Sequence, residues 1–438
     1  MLRLLPLLAA LSAGTAHAFC GTFVGTADAP TNGASQVAIV RQGERTTLTV
    51  ANDVHGDTRD FAMVVPVPTM LPEDAIRVVD PVVFAHLASY SAPRLVSYRC
   101  EDFADADADT DTDSDSDTDA DSDTDTDVVV EAQYIVGEYD VQILAAEESE
   151  SLVDWLQDNG YRVPDASAAL LGEYIAGGSH FFAARVRPEA EIADGAMLSP
   201  LQFSYGSEVF GLPIRIGTLN SPGEQDLIVY AVTDYEDGAV GVSNYPEVEV
   251  EAECMLQPGD NLDDRVSDDI DAAFASESRA SWLTEYAWGQ GGCDPCTGGE
   301  LSEQDLVSIG YAPDYHYGLY YFFTRLHLWY TPQQAAADLV LYPSRLTQNR
   351  QLRYIENNEQ LEDRFPLCET GFAESPGTCD PEEDGVDDAD DVARDAAEEA
   401  RRDEAARGCA TGGAPSRRMG AIPAGLLVAA LLARRRKA

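Results

Sequence analysis

Cys293-Asp294-Pro295-Cys296 offers chemistry more directly than any other spacing in this chain, because a C-x-x-C pair exchanges disulfides once one sulfur is held as thiolate. Thioredoxin-like exchange places that motif at a helix start within a β-α-β unit. Here glycines stand on both sides, Gly291-Gly292 before and Gly298-Gly299 after, so a structural disulfide is the favoured reading and redox exchange the alternative. Zinc would need four ligands, and neither a second C-x-x-C nor a nearby His pair completes them. No metal and no other cofactor is expected. The histidines His17, His55, His86, His180, His316 and His327 are scattered; none lies in H-E-x-x-H or beside a G-x-S-x-G elbow. His327, in an alternating aromatic run, is expected to be packed or at a strand edge. The aromatic cluster from Tyr311 to Tyr330 suits a strand core before a ligand platform. No catalytic residue is assigned, and the chain is not expected to be an enzyme. The alternative is an extracellular thiol oxidoreductase, or a hydrolase whose carboxylates cannot be singled out among 78 acids.

Eight cysteines occur: Cys20, Cys100, Cys254, Cys293, Cys296, Cys368, Cys379 and Cys409. All lie in the part of the chain read below as exported, where disulfides persist. The first seven are disulfide candidates. Proximity suggests Cys368 with Cys379, and Cys20 with Cys100 would tie the start of the body to its insert. If Cys409 is processed, seven remain, which predicts one free thiol or an intermolecular bridge.

The export reading comes from the two ends. Residues 1–18 carry Arg3, a Leu/Ala-rich stretch and Ala16-His17-Ala18, the A-x-A pattern of signal peptidase, so the mature chain is expected to begin at Phe19. At the other end Met419 to Ala433 is almost wholly apolar and is followed by Arg434-Arg435-Arg436-Lys437. As a helix that stretch spans roughly 22 Å against a hydrocarbon core of roughly 30 Å, a poor permanent anchor but a sufficient transient one. The basic cluster would stay in the cytoplasm and leave everything before it on the far side. Cys409, the glycine-rich spacer after it, the short apolar helix and the terminal arginines resemble the MYXO-CTERM sorting signal of myxobacterial surface proteins. That resemblance implies removal of the tail by a sorting protease and makes Cys409 the processing and lipidation candidate. An ordinary single-pass helix over the same residues is the alternative.

The chain has 438 residues, with 78 acidic and 28 basic side chains and a formal charge of −50. Such an excess argues against nucleic acid and against anionic lipid headgroups, both polyanions that basic patches neutralise. Residues 101–127 hold fourteen carboxylates and no base, with Asp at every second position from Asp105. Such a segment buries no apolar surface and is expected to be a solvated insert. It lacks the Gly and the bidentate Glu of an EF-hand loop, so weak, non-stoichiometric calcium binding is the most it predicts. Residues 380–408 hold thirteen acids and four arginines and read as an acidic stalk beside Cys409.

Between these tracts the pattern is α+β. Ser35 to Arg41 and Glu44 to Val50 alternate about Gln42-Gly43 as a hairpin, and Phe61 to Val65 is a strand ended by Pro66. Pro81 opens a helix. Strands are expected at 128–136, 139–144, 180–186, 201–205, 209–216, 227–233, 248–252 and 319–330. Helices are expected at 147–158, 166–175 and 268–287, with a capping box at Ser302-x-x-Asp305 and a helix start at Thr331-Pro332-Gln333-Gln334. The organisation is then a signal peptide (1–18), an N-terminal α+β lobe (19–257) with its insert (101–127), a second α+β lobe (258–379) cut near Pro258-Gly259, the stalk (380–408) and the C-terminal sorting or transmembrane segment (409–438). Both lobes are expected to be rich in antiparallel sheet.

Phe19-Cys20-Gly21, the run Phe61 to Pro68, Ala92-Pro93-Arg94-Leu95, Leu212 to Gly217, Cys293-Asp294-Pro295-Cys296 and Thr324-Arg325-Leu326-His327 together resemble the bacterial domain of unknown function numbered 2330. The resemblance implies kinship and no activity. The expected protein is thus exported and disulfide-stabilised. It is anchored at the cell surface, in the outer membrane, as a binding or envelope-structural module for an unknown surface protein or polysaccharide.

Overall fold

The computed structural model describes residues 21–372 apart from 26–30, 32–34, 56–60, 100–129, 145–148, 164, 188–191, 194–195, 221–222, 291–298, 314–317 and 363. The signal sequence, the acidic insert, Cys20, Cys100, the C-x-x-C pair, His17, His316, Cys379, the stalk, Cys409 and the C-terminal segment lie outside the described residues.

The chain runs through β1 (Thr22–Gly25), β2 (Ser35–Gln42), β3 (Arg45–Val54), β4 (Phe61–Val67), β5 (Ile76–Val78), α1 (Val82–Ser91), β6 (Arg94–Val96), β7 (Val130–Val136) and β8 (Tyr139–Leu144). It continues with α2 (Ser149–Asp158), α3 (Asp165–Ala176), β9 (His180–Val186), β10 (Ala196–Met197), β11 (Leu201–Gly206), β12 (Gly211–Leu212), β13 (Gln225–Asp234) and β14 (Val240–Val242). Last come α4 (Leu262–Ala275), β15 (Ser281–Gly289), α5 (Glu303–Ser308), β16 (Tyr321–Tyr330), β17 (Leu339–Pro343), β18 (Arg350–Gln351) and β19 (Arg353–Ile355).

Period-two alternation explains how these strands assemble. On β2 and β3, Val37, Ile39, Leu48 and Val50 point to one face, and the hairpin register pairs Ile39 with Leu48. That face packs against Met63, Val65, Val141 and Phe182 of a five-stranded antiparallel sheet ordered β1-β4-β9-β8-β7. The larger sheet is ordered β18-β15-β16-β13-β2-β3-β11-β5, with β10 also on β3; only the β2–β13 pairing within it is parallel. Each sheet covers its other face with helices. Leu152, Leu156 and Leu171 of α2 and α3 close over the small sheet, and α1 and α5 close over Val40, Tyr230 and Phe323 of the large one. Farther along that face α4 lays Ile270 and Phe274 against Leu283.

The fold is α+β, as the pattern predicts. The cut near Pro258-Gly259 does not divide it into two lobes, since β15 and β16 after the cut hydrogen-bond through β16 to β13 before it. Pro-Gly there marks only the loop into α4, whose N-cap Asn261 accepts from the backbone of Asp263 and Asp264.

Several elements depart from the sequence pattern for local reasons. The helix expected over 268–287 ends at Ala275, and Ser281–Gly289 is a strand: Trp282 and Leu283 happened to continue the helical spacing of Ile270 and Phe274, while Trp282, Tyr286 and Trp288 are aromatic β-formers. Pro66 lies inside β4; among the described residues the ladder with β1 ends at Val64, so no ladder bond there calls on an N–H at Pro66. Of 209–216 only Gly211–Leu212 pairs, and 248–252 forms no ladder, turning where Ala252 N donates to the Val250 carbonyl. Thr331 and Gln334 exchange their capping bonds at 3.3 and 2.8 Å, yet only a turn follows. Tyr245 Oη and Asn244 Nδ2 donate to the carbonyls of Ala337 and Asp338 and draw the chain straight into β17.

Gly238 sits at φ +66°, and a Cβ there would lie 2.5 Å from the Leu346 carbonyl oxygen, a backbone atom that cannot rotate away. Gly238→Ala therefore combines backbone strain with a clash and is expected to lower unfolding stability by roughly 2 kcal/mol or more in urea titration; an unchanged midpoint would contradict the turn geometry.

Candidate functional site

Alternation along β16 sends Leu326 and Leu328 into the central core and Arg325 and His327 together to the outer face. Across the ladder, Tyr230 of β13 stands opposite Arg325, and Ile228 opposite His327. On the other side, Leu283 of β15 faces His327 and Tyr286 faces Arg325, so the register slips by one residue between them. Glu285 is that extra residue. A β-bulge re-aims the side chain it carries, and this one sends a carboxylate between the two cations.

The result is a four-member ionic chain. Arg325 Nε lies 2.6 Å from Glu285 Oε2, His327 Nδ1 donates to Glu285 Oε1 at 2.6 Å, and His327 Nε2 lies 2.8 Å from Asp226 Oδ1. Phe274 of α4 meets the imidazole edge-on at 5.2 Å, and the Arg325 guanidinium lies over the Tyr230 ring at 5.8 Å. Glu285 is 2% exposed and Asp226 34%, so the chain runs from the interior to the surface.

Burial by itself pushes the Glu285 carboxyl up, but Arg325 and then His327 outweigh it and hold the group down at about 2. Burial pulls His327 down, and Glu285 followed by Asp226 overcomes this and raises it to about 9. At neutral pH the imidazole is therefore a cation, with both ring nitrogens turned to carboxylates. Such a histidine accepts no proton, and a carboxylate so strongly stabilised as an anion is a poor base. The arrangement ties β13, β15 and β16 together through charge.

His327 is thus packed, on a strand interior to the sheet, as its aromatic surroundings predict. Glu285 and Asp226 carry no comparable local signal. The usable one was the Arg-x-His spacing on a buried strand face, which demands acids from neighbouring strands. Elsewhere, His55 meets Asp53 at 2.9 Å and His86 meets Asp305 at 2.8 Å, both half exposed, and His180 opens β9. Among the described residues no three His, Cys, Asp or Glu side chains form a group suited to a metal.

Cys254 is bonded to Cys368 and not Cys368 to Cys379. Met255 explains the partner: it bridges both Ile355 and Leu367, and Cys368 N donates to its carbonyl at 2.9 Å, which brings positions 114 residues apart side by side. A groove of about 630 Å³ runs along this disulfide past Thr284, Arg350 and Glu369. The cations around it carry acids: Arg350 pairs with Glu247, Arg353 with Glu253, and Arg265 with Asp269 and Glu369.

The profile of a bacterial family described as an uncharacterized conserved protein, domain of unknown function 2330, matches residues 14–342. The chain belongs to that family. No curated protein matches it. Among solved structures, the crystal structure of baculovirus P35 aligns with 75% of this chain and 97% of its own at 9% identity, with a TM-score of 0.25.

The two shifts set the sign of the pH dependence. Glu285, depressed to about 2, contributes stability that is present above its unfolded value of about 4.5 and lost as pH falls through about 2. His327, raised to about 9, contributes stability that is full below its unfolded value of about 6.5 and lost as pH rises through about 9. Urea midpoints should peak between these unfolded values, and His327→Gln should remove the alkaline decline. Glu285→Gln, which strands two buried cations, should cost about 3–5 kcal/mol; a cost under 1 kcal/mol would show that the pair is not buried as described.

Proposed function

We propose that this family member is a binding or envelope-structural module, exported and held at the cell surface by its C-terminal segment. The observation that carries the non-enzymatic part of this reading is the closed ionic chain. The titratable cluster best excluded from water, Glu285 with His327, has each group locked in its charged form against a partner. The concavities along the Cys254–Cys368 bridge and beside Arg45 are open surface grooves, which suit recognition better than turnover. Export is supported by the A-x-A leader and by the Cys254–Cys368 bridge, which fits an oxidising compartment.

The anchoring part of the proposal rests on the sequence of the C-terminus. Among the described residues no helix is long and apolar enough to cross a membrane, and residues 419–433 lie outside them. A stretch too short for a comfortable span, followed by four basic residues, suits a sorting step after which Cys409 holds the protein in the outer membrane. The acidic tract 380–408 would then act as a stalk, keeping the body off the bilayer by charge repulsion. The ligand would be a surface protein or a polysaccharide, with loose calcium association along residues 101–127.

Mass spectrometry of protein from its native cells, joined to protease shaving of intact cells, tests this directly. The expected product begins at Phe19, lacks Arg434 to Lys437 and is released by external protease. A full-length chain protected inside intact cells, with Cys254 and Cys368 reduced, would end the proposal.

A further inference from the structure

The arginines described so far are matched to acids. Arg45 and Arg77 are not. Both stand on the outer face of the large sheet at its β5 edge: the register sets Arg45 opposite Gly206, Thr47 opposite Ser204, and Gln202 between Thr49 and Arg77. The C-terminal turn of α5 and the segment after it, through Gly310 to Pro313, form the far wall of a cleft of about 320 Å³ that both arginines line. Gly310, at φ +99°, permits that approach; a Cβ there would lie 2.3 Å from Thr47 Cγ2.

Arg77 is held in place. Its Nε donates to Gln202 Oε1 and its NH2 group to the carbonyls of Val307 and Ser308, at 2.9 and 3.3 Å. Gln202 in turn donates to Thr49 Oγ1 and the Ser308 carbonyl. The NH1 edge of Arg77 has no partner among the described residues. Arg45 is exposed, and its guanidinium makes neither a hydrogen bond nor an ion pair with the described residues. The two guanidinium groups are close enough that burial first, and then Arg45, lowers the pKa of Arg77. Asp74 shares the cleft wall without pairing with either arginine. On the floor, Ser204 and Thr47 share one hydrogen bond of 2.8 Å, which occupies one hydroxyl hydrogen and leaves the other to donate.

A fixed guanidinium, a second one opposing it without a counterion, and a spare hydroxyl donor are the elements of an oxyanion receptor. In a chain with 78 acids the absence of a carboxylate partner here is the informative feature. We propose that the cleft between Arg45 and Arg77 binds the oxyanion of a small ligand, a carboxylate or phosphate group on a body of about one sugar ring, with Ser204 as third donor. The volume lies at the lower end of small-molecule sites, and the neighbouring hollow of about 480 Å³, which shares Arg45 and Ser204, leaves room for the ligand to extend. This deepens the binding-module reading by naming the chemistry its ligand must carry.

Calorimetric titration of the purified full-length chain with inorganic phosphate and with galacturonate, at constant ionic strength set with chloride, tests the site and separates the two sources of the oxyanion. Saturable binding of at least one probe is expected. Arg45→Gln should weaken it about tenfold with an unchanged melting temperature, since Arg45 supports nothing else, and Asp74→Asn should tighten it. Arg77→Gln should abolish it, with circular dichroism reporting whether α5 stays in place. No saturable heat with either probe, or equal affinity in Arg45→Gln, overturns the proposal. Because this titration is made on purified protein, a chain found not to be displayed on cells would end the surface reading and leave the cleft standing, and the reverse holds equally.

Discussion

Glu285 is the charge on which the outer face of the large sheet depends. A carboxylate taken out of water costs several kcal/mol, and only the two cations from the neighbouring strand offset that cost. Their geometry requires the bulge. In a regular strand Leu283 and Tyr286, three apart, would face opposite sides of the sheet. With one residue inserted both face outward, Leu283 under α4 and Tyr286 under α1 and α5. The residue that makes this possible is the one left without a ladder partner, and its side chain fills the space between Arg325 and His327. Register, bulge and ion pairing are thus one constraint expressed three ways.

The ionic chain also divides the outer face. On one side Phe84, Tyr90 and Leu306 pack with Tyr230, Tyr286 and Phe323; on the other Phe274 and Ile270 pack on Leu283. The aromatic rings that touch the charges, Phe274 on His327 and Tyr230 on Arg325, belong one to each patch. They shield the chain from water, and the Tyr230 ring gains from the guanidinium above it. Charge at this position therefore ties the register of three strands to one arrangement.

What could be read from the sequence is what local physics determines. The β2–β3 hairpin declares itself through alternation about Gln42-Gly43, α1 through Pro81, and α5 through the Ser302–Asp305 capping box, which forms with both bonds in place. The long aromatic strand 321–330 needed only its side-chain types. Missed features depend on distant residues. Glu285 was hidden inside a helical reading because Trp282 and Leu283 continued a spacing begun by Ile270 and Phe274, and nothing local to Ser276–Arg279 is a strong breaker. The partner of Cys368 is fixed by the two bridges of Met255, not by distance along the chain. The cut at Pro258 failed because a Pro-Gly loop signals a turn and says nothing about which strands later pair across it.

Electrostatics also sorts the arginines of the body by what they hold. With 78 acids for 28 bases, each guanidinium in the body has carboxylates in ample supply, and pairing is the expected state for an arginine within reach of one. Arg265, Arg325, Arg350 and Arg353 follow that expectation, and each then acts as a fastener between segments far apart in sequence or along one helix. Arg77 fastens too, but to carbonyls at the end of α5, which leaves its charge uncompensated. Arg45 fastens nothing. A like-charged pair carries a repulsion that the fold could have relieved by moving one acid, and Asp74 is already on the wall. A pair left unrelieved amid such an excess of acid keeps its charge available at the surface, and availability is what separates a recognition site from a structural salt link.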